Sequence, residues 1–204
     1  MNDVKLCRTF QTAPAAVPED DTAKYLRSGL TSEGFQAPDW LVPDIEDGTA
    51  PDMKEQGLEN TVDLVPEYDF SGAIWPRVEW SYEDASFRER GREQIDRLIA
   101  EIGEEINGVV VPKVGRLADV KRAAETVADA AAEHDLPEWS TGLSTIIETG
   151  LARSDLRAIS DFGAESRLTA LVFCPVDSPA DFGPCYAGAG HPCLQALLLP
   201  LSNV

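Results

Sequence analysis

The sequence predicts an α/β fold, a (β/α)8 barrel of which about six β/α units are visible. Three observations lead there. Short apolar, β-rich runs alternate with segments of helical periodicity, at a spacing of about 30 residues. No GxGxxG or GxxxxGK[ST] follows any of these runs, which removes support from the dinucleotide-binding and P-loop versions of an open doubly wound sheet. Polar or charged residues (Arg8, Glu46, Asp47, Arg77, Lys113, Glu148 and Asp177) recur at or just past the C-terminal ends of nearly every run. A barrel gathers such groups around one mouth, where chemistry draws on several strands at once; an open sheet spreads them along a line.

The predicted strands are 4-VKLCRTF-10, 40-WLVPDI-45, 73-AIWPRVEW-80, 107-NGVVVPKV-114, 143-LSTIIET-149 and 168-LTALVFCPV-176. Predicted helices cover 20–29, 52–65, 86–103, 116–135 and 152–163. The third shows apolar positions at three- and four-residue spacing in Ile95, Leu98, Ile99 and Ile102, and Gly103 follows it as a stop. Asp20 and Asp21 stand before the first helix as cap candidates. All six units belong to a single domain over residues 1–204.

Charge limits the partners. Thirty-six acidic residues face 17 basic ones, a formal net charge of −19. Nucleic acid and anionic membrane surfaces would be repelled. The acid is dispersed along helices such as 116-RLADVKRAAETVADAAAEHD-135, and only five of the 17 basic residues are lysine. Dispersed acid with scarce lysine suits a high-salt cytoplasm, where screening removes self-repulsion. The first 15 residues carry no long apolar core, and no stretch approaches the ~18 apolar residues of a membrane span, so a cytoplasmic location is expected. Cys7, Cys174, Cys185 and Cys193 show no CxxC spacing, and His134 and His191 do not complete a zinc set. Cys7 and Cys174 lie in apolar runs and are expected as buried free thiols, while Cys185 and Cys193 could pair.

Glu148 and Asp177 each leave an apolar strand, on consecutive strands of the series. Two neighbouring carboxylates suit a hard ion such as Mg²⁺ that keeps part of its hydration; alternatively, each caps the helix that follows. Arg77 interrupts a run that should be buried, and a buried guanidinium needs an anion. That anion is either a substrate carboxylate or enolate, or one of Glu46, Asp47 and Glu79. Lys113 could form a Schiff base, but a neighbouring acid cluster would keep it charged, and it reads as a charge balancer. In 39-DWLVPDIEDGTAPDMK-54, period-two alternation puts Val42, Asp44 and Glu46 on one strand face. Glu46 and Asp47 then either accept hydrogen bonds from the waters of a dication or form part of a solvated turn.

Six short motifs in one order resemble the HpcH/HpaI aldolase and citrate lyase β-subunit superfamily, and especially its CoA-thioester lyases and the related haloarchaeal malate synthase. They are 8-RTF-10, 44-DIEDGTAP-51, 76-PRV-78, 111-VPKV-114, 147-IET-149 and 174-CPVDSPADFG-183. The resemblance implies a barrel of the phosphoenolpyruvate/pyruvate type, with Glu148 and Asp177 as Mg²⁺ ligands and Arg77 binding the oxo-acid end. It implies Glu46 and Asp47 near the waters of the metal, and, more loosely, Arg8 and Lys24 in contact with substrate or CoA. The implied chemistry is reversible aldol or Claisen carbon–carbon cleavage of a malyl-CoA-like, citramalyl-CoA-like or citryl-CoA-like thioester, with a 2-oxo acid as partner. A class II aldolase acting on free hydroxy-oxo acids is the related alternative, and a non-catalytic remnant that only binds metal or a partner barrel is another. Cys174 stands where the family usually has Gly. The sequence stops at 194-LQALLLPLSNV-204, so the last two strands and the C-terminal lid of a barrel are not in it. The resemblance implies a homo-oligomer, trimer or hexamer, for the full-length protein.

The charge pattern makes a prediction of its own. Raising KCl from about 0.1 M to about 2 M should lift the thermal midpoint by on the order of 10 °C through screening of acid–acid repulsion, read by circular dichroism.

Overall fold

A computed structural model describes residues 7–174. Within them, six parallel strands follow one another in sequence order: β1 (Phe10–Pro14), β2 (Trp40–Asp44), β3 (Ala73–Ile74), β4 (Gly108–Val111), β5 (Gly142–Ile147) and β6 (Leu168–Phe173). Between them run the helices α1 (Lys24–Leu30), α2 (Lys54–Leu64), α3 (Ala85–Ile102), α4 (Leu117–Glu133), α5 (Gly150–Ser154) and α6 (Leu156–Gly163). Strand, helix, then a neighbouring parallel strand is the repeating unit of a barrel wall.

β3 is short for a covalent reason. Proline has no N–H to offer a ladder, so Pro76 takes part only through its carbonyl, which accepts the Val110 N–H at 2.9 Å. Regular pairing gives way there to single bridges, in which Arg77 faces Asp44 on one side and Val110 on the other. The Arg77 N–H donates to the Pro43 carbonyl at 2.8 Å, and the Val78 N–H donates to the Val110 carbonyl at 3.1 Å. The segment 76–78 therefore joins β1–β3 to β4–β6.

Alternation along the strands sorts the apolar side chains into two clusters. One packs Leu41, Ile74, Val109, Val111, Leu143 and Ile147 against helix residues such as Leu26, Leu58, Ile95, Leu98, Val120 and Ile159. The other contains no residue from a helix: Trp40, Val42, Ala73, Trp75, Val110 and Ile146, with Phe10, Ala170, Val172 and Cys174 against them. That helix-free face is the inside of the barrel wall. Near its base, the Trp40 and Trp75 rings stack with centroids 4.3 Å apart. Gly108 and Gly142 make room for them, since a Cβ on Gly108 would lie 2.3 Å from the Trp75 ring and one on Gly142 would lie 2.7 Å from it.

The helices form where expected, with local adjustments. Asp84 caps α3 by accepting the Ser86 N–H at 2.8 Å, and Gly103 ends it. The expected helix over 152–163 is two helices that meet at Asp155, whose carboxylate accepts from the Arg116 side chain at 3.0 Å and from the Leu117 N–H at 3.2 Å. Of the first expected strand, residues 4–6 lie outside the described residues, and among the described ones the strand begins at Phe10. Its register is set by the Asp39 carboxylate, which receives the Arg8 N–H at 2.7 Å and the Thr9 N–H at 3.1 Å. Cys7 consequently lies exposed ahead of β1 rather than buried in it, and Cys174 is half-buried. Among the described residues, no helix is long and apolar enough to cross a membrane.

The glycine pair under Trp75 can be tested. Gly108→Ala forces its new methyl against both the Trp75 ring and the Gly142 carbonyl, each 2.3 Å away, and should destabilise by about 1–3 kcal/mol, measured by urea unfolding followed through tryptophan fluorescence.

Candidate active site at the strand exits

Asp44, Arg77 and Glu148 fall on the helix-free face by the same alternation that places Val42, Trp75 and Ile146 there, one step further toward the C-terminal ends of the strands. The polar mouth is thus the upward continuation of the apolar interior.

Arg77 and Asp44 form its centre. The Arg77 Nε donates to Asp44 Oδ1 at 2.8 Å, and Nη2 donates to Asp44 Oδ2, a bidentate pair. Nη1 lies 3.6 Å from Glu46 Oε2. Asp44 is 3% exposed, and its carboxylate also accepts the Glu46 N–H at 3.0 Å and the Gly48 N–H at 2.9 Å. Glycine is required at 48 because a Cβ there would stand 2.3 Å from Asp44 Oδ2. Burial works against the Arg77 charge, yet the Asp44 hydrogen bonds, with Glu46 and Asp47 nearby, hold its pKa above the usual arginine value.

The acidic turn is built rather than solvated. Glu46 is 2% exposed; its Oε2 accepts the Asp47 N–H at 2.9 Å, and its carbonyl accepts the Thr49 N–H at 3.1 Å and the Lys54 ammonium. The Lys113 ammonium donates to Glu46 Oε1 and to Asp47 Oδ1, the latter at 3.0 Å. Burial raises the Glu46 pKa, partly offset by Lys113 and Arg77. Burial acts on Asp47 in the same sense, but there the Lys113 bond prevails and the pKa is lowered. Lys113 is raised by these two carboxylates despite burial, so it stays charged and is no Schiff-base nucleophile.

Glu148 follows β5 and is 5% exposed; its Oε1 accepts the Lys113 N–H at 2.6 Å. It does not cap the next helix. Thr149 does that, its hydroxyl accepting the Ala152 N–H at 3.0 Å while donating to the Val114 carbonyl at 2.8 Å. Asp177, the other expected metal ligand, lies outside the described residues. Among the described residues, no group of three or more His, Cys, Asp or Glu side chains could hold a metal ion. The donor at hand, a buried carboxylate oxygen, suits a hard cation.

Two expected residues lie elsewhere. Arg8 precedes β1 and pairs with Asp39, which precedes β2, so it sits beyond the N-terminal ends of the strands, opposite the mouth. The apolar run 4–10 misplaced it, because the hydrogen-bonded strand begins at the less apolar FQTAP. Lys24 opens α1 on the C-terminal side of the sheet and pairs with Glu19. Conversely, sequence reasoning missed Asp44 as the partner of Arg77, although strand alternation had placed it on the face of Val42 and Glu46. It missed Lys54, whose pKa burial lowers against the pull of Glu79, Glu46, Asp44 and Asp47. Glu79, expected as a possible partner of Arg77, is buried and held instead by Arg90 at 3.2 Å and by the Gln94 amide at 3.0 Å.

Comparison with known proteins follows this geometry. The family model described as HpcH/HpaI aldolase/citrate lyase matches residues 29–197. An L-malyl-CoA/beta-methylmalyl-CoA lyase of Haloarcula marismortui is 55% identical over 201 residues, 98% of this chain and 58% of that protein. Haloferax volcanii malate synthase solved as a pyruvate/acetyl-CoA ternary complex superposes with a TM-score of 0.86 at 35% identity, covering 97% of this chain and 55% of that one. The same enzyme as a magnesium/glyoxylate complex gives a TM-score of 0.85 at 35% identity, covering 94% of this chain and 58% of that one. The chain thus spans little more than half the length of these relatives.

Removing the charge of Asp44 tests the centre of the mouth. Asp44→Asn leaves the Arg77 guanidinium with half its anionic support and should cost about 3–5 kcal/mol, read as a lower urea midpoint at unchanged m-value.

Proposed function

We propose that this chain, which belongs to the HpcH/HpaI aldolase/citrate lyase family, carries the catalytic mouth of a Mg²⁺-dependent carbon–carbon lyase acting on a malyl-CoA-like thioester. The observation that supports it is the placement of a buried, Asp44-braced guanidinium and a buried Glu148 carboxylate on one helix-free face at adjoining strand exits. A buried guanidinium suits an oxyanion, and a buried carboxylate suits a hard cation.

In this reading Glu148 and Asp177 would hold Mg²⁺, the metal named for the magnesium/glyoxylate complex of the similar malate synthase. When bound, Mg²⁺ supplies Lewis-acid neutralisation of the carboxylate and oxo oxygens of the 2-oxo acid. The chain's own groups do the rest. Arg77 binds the oxo-acid end and stabilises negative charge as the carbon–carbon bond parts. In the cleavage direction the substrate hydroxyl loses its proton and becomes the carbonyl of the oxo acid. The electron pair of the broken bond passes into the thioester enolate, whose α-carbon then takes up a proton. Glu46 and Asp47, fixed by Lys113, orient water at the edge of this pocket. Lys24 stands on the C-terminal side of the sheet, where a CoA chain would enter; Arg8, at the opposite ends of the strands, has no part in it. The CoA branch is preferred to an aldolase for free acids because the similar Haloarcula protein is named for malyl-CoA. The dispersed acid fits a high-salt cytoplasm and a partner set without nucleic acid or membrane, with a homo-oligomer as the working assembly.

The test is release of glyoxylate from malyl-CoA, or of pyruvate from citramalyl-CoA, in the presence of Mg²⁺. Turnover should vanish with EDTA, and Arg77→Lys should lower kcat/KM by about 100-fold or more. No turnover on malyl-CoA, methylmalyl-CoA or citramalyl-CoA would overturn the reading.

A further inference from the structure

Lys113 does more than balance charge. It follows β4, and its backbone has φ 49°, a left-handed conformation uncommon for a residue with a side chain. Strain of this kind persists only where surrounding contacts over-determine it. Three sets of contacts do so here, one for each polar group of the residue. Its N–H donates to Glu148 Oε1 at 2.6 Å, at the exit of β5. Its carbonyl accepts the Tyr82 N–H at 3.0 Å, in the loop after β3. Its ammonium donates to Glu46 and Asp47, at the exit of β2. Tyr82 in turn packs tightly over the next turn, where a Cβ on Gly115 would lie 2.5 Å from the Tyr82 ring. A single residue just past β4 therefore clasps the exits of β2, β3 and β5.

We propose that Lys113 is a positioning residue with two separable functions. Its ammonium locks the Glu46–Asp47 turn, and its left-handed main chain turns an N–H onto Glu148 and fixes that carboxylate relative to Arg77. The inference rests on the proposed lyase site only in treating Glu148 as a metal ligand; the clasp is a property of the fold.

The two functions separate by mutation. Lys113→Met and Lys113→Gly both remove the ammonium, and Gly also takes the left-handed φ without strain. Lys113→Arg keeps the charge. Lys113→Val keeps neither the charge nor, being β-branched, an easy left-handed backbone. Hydrogen exchange read by mass spectrometry should show the 45–49 amides exchanging about tenfold faster in the Met and Gly variants, the size expected for losing one charge-assisted hydrogen bond. The 143–147 amides should stay within about twofold of wild type, and Arg should restore the slow rate. Binding of Mn²⁺, followed by the electron paramagnetic resonance of the free ion, should be kept by Met and Gly within about threefold and weakened about tenfold or more by Val.

Unchanged exchange at 45–49 in the Met variant would overturn the ammonium function. Uniformly faster exchange in both segments would reduce Lys113 to general stability. Wild-type Mn²⁺ affinity in Val would overturn the main-chain function. If Val does not fold, Mn²⁺ affinity in Gly decides that arm: retention in Gly, which keeps the left-handed N–H without the ammonium, supports the main-chain function whatever Met shows, and loss in Gly contradicts it. Should the wild-type chain bind no Mn²⁺, the metal reading fails and the main-chain function with it, while exchange still decides the ammonium function.

Discussion

The mouth of this fold depends on one buried ion pair. Arg77 follows Pro76 just past β3. Its own N–H and carbonyl bond to Pro43 and Ile45 on the β2 side, while its neighbours Pro76 and Val78 bond to Val110 and join the first three strands to the next three. Its side chain points to the helix-free face, where an unpaired guanidinium would carry a large desolvation penalty. Asp44 answers that penalty with a two-pronged contact and uses its remaining capacity on the Glu46 and Gly48 amides. The turn after β2 is shaped around this carboxylate, down to the glycine that a side chain would push away from it. Fold continuity, turn geometry and placement of a positive group at the pocket therefore share a single cause.

Acid serves two purposes in this chain. On the helices it faces water, where a formal charge of −19 is tolerable only with screening. At the strand exits it is partnered, and all of it but the exposed Asp47 is buried. Asp44, Glu46, Asp47, Glu79 and Glu148 are interleaved there with Arg77, Lys54, Lys113 and Arg90. Five carboxylates against four cations leave these named groups with one formal negative charge to spare, which the proposed dication would offset. Braced cations and a residual negative charge are what a pocket needs to hold a hard metal and the oxyanions of an oxo acid together.

Much of this was legible in the amino-acid order. Strand-to-helix rhythm gave the barrel wall, since periods of two and of about three and a half are direct consequences of backbone geometry. Acidic and basic residues at strand ends marked the mouth, and Glu46, Asp47, Arg77, Lys113 and Glu148 do meet there. The first strand is less clear-cut: of the apolar run 4–10, residues 4–6 lie outside the described residues, and the described pairing begins at Phe10. Pairing is decided by Asp39, 30 residues away from the Thr9 amide it anchors.

What the sequence determined by itself was local and periodic: which segments are strands or helices, which residues leave the strands, and that buried charge had to be matched. Tertiary structure alone chose the partners. Asp44 rather than Glu46, Asp47 or Glu79 takes the Arg77 fork, Thr149 rather than Glu148 caps α5, and Lys113 reaches across to both β2 and β5. These choices turn on distances of a few ångströms between segments far apart in the chain. Composition and spacing carry no record of such distances, because they are fixed only when the strands close side by side.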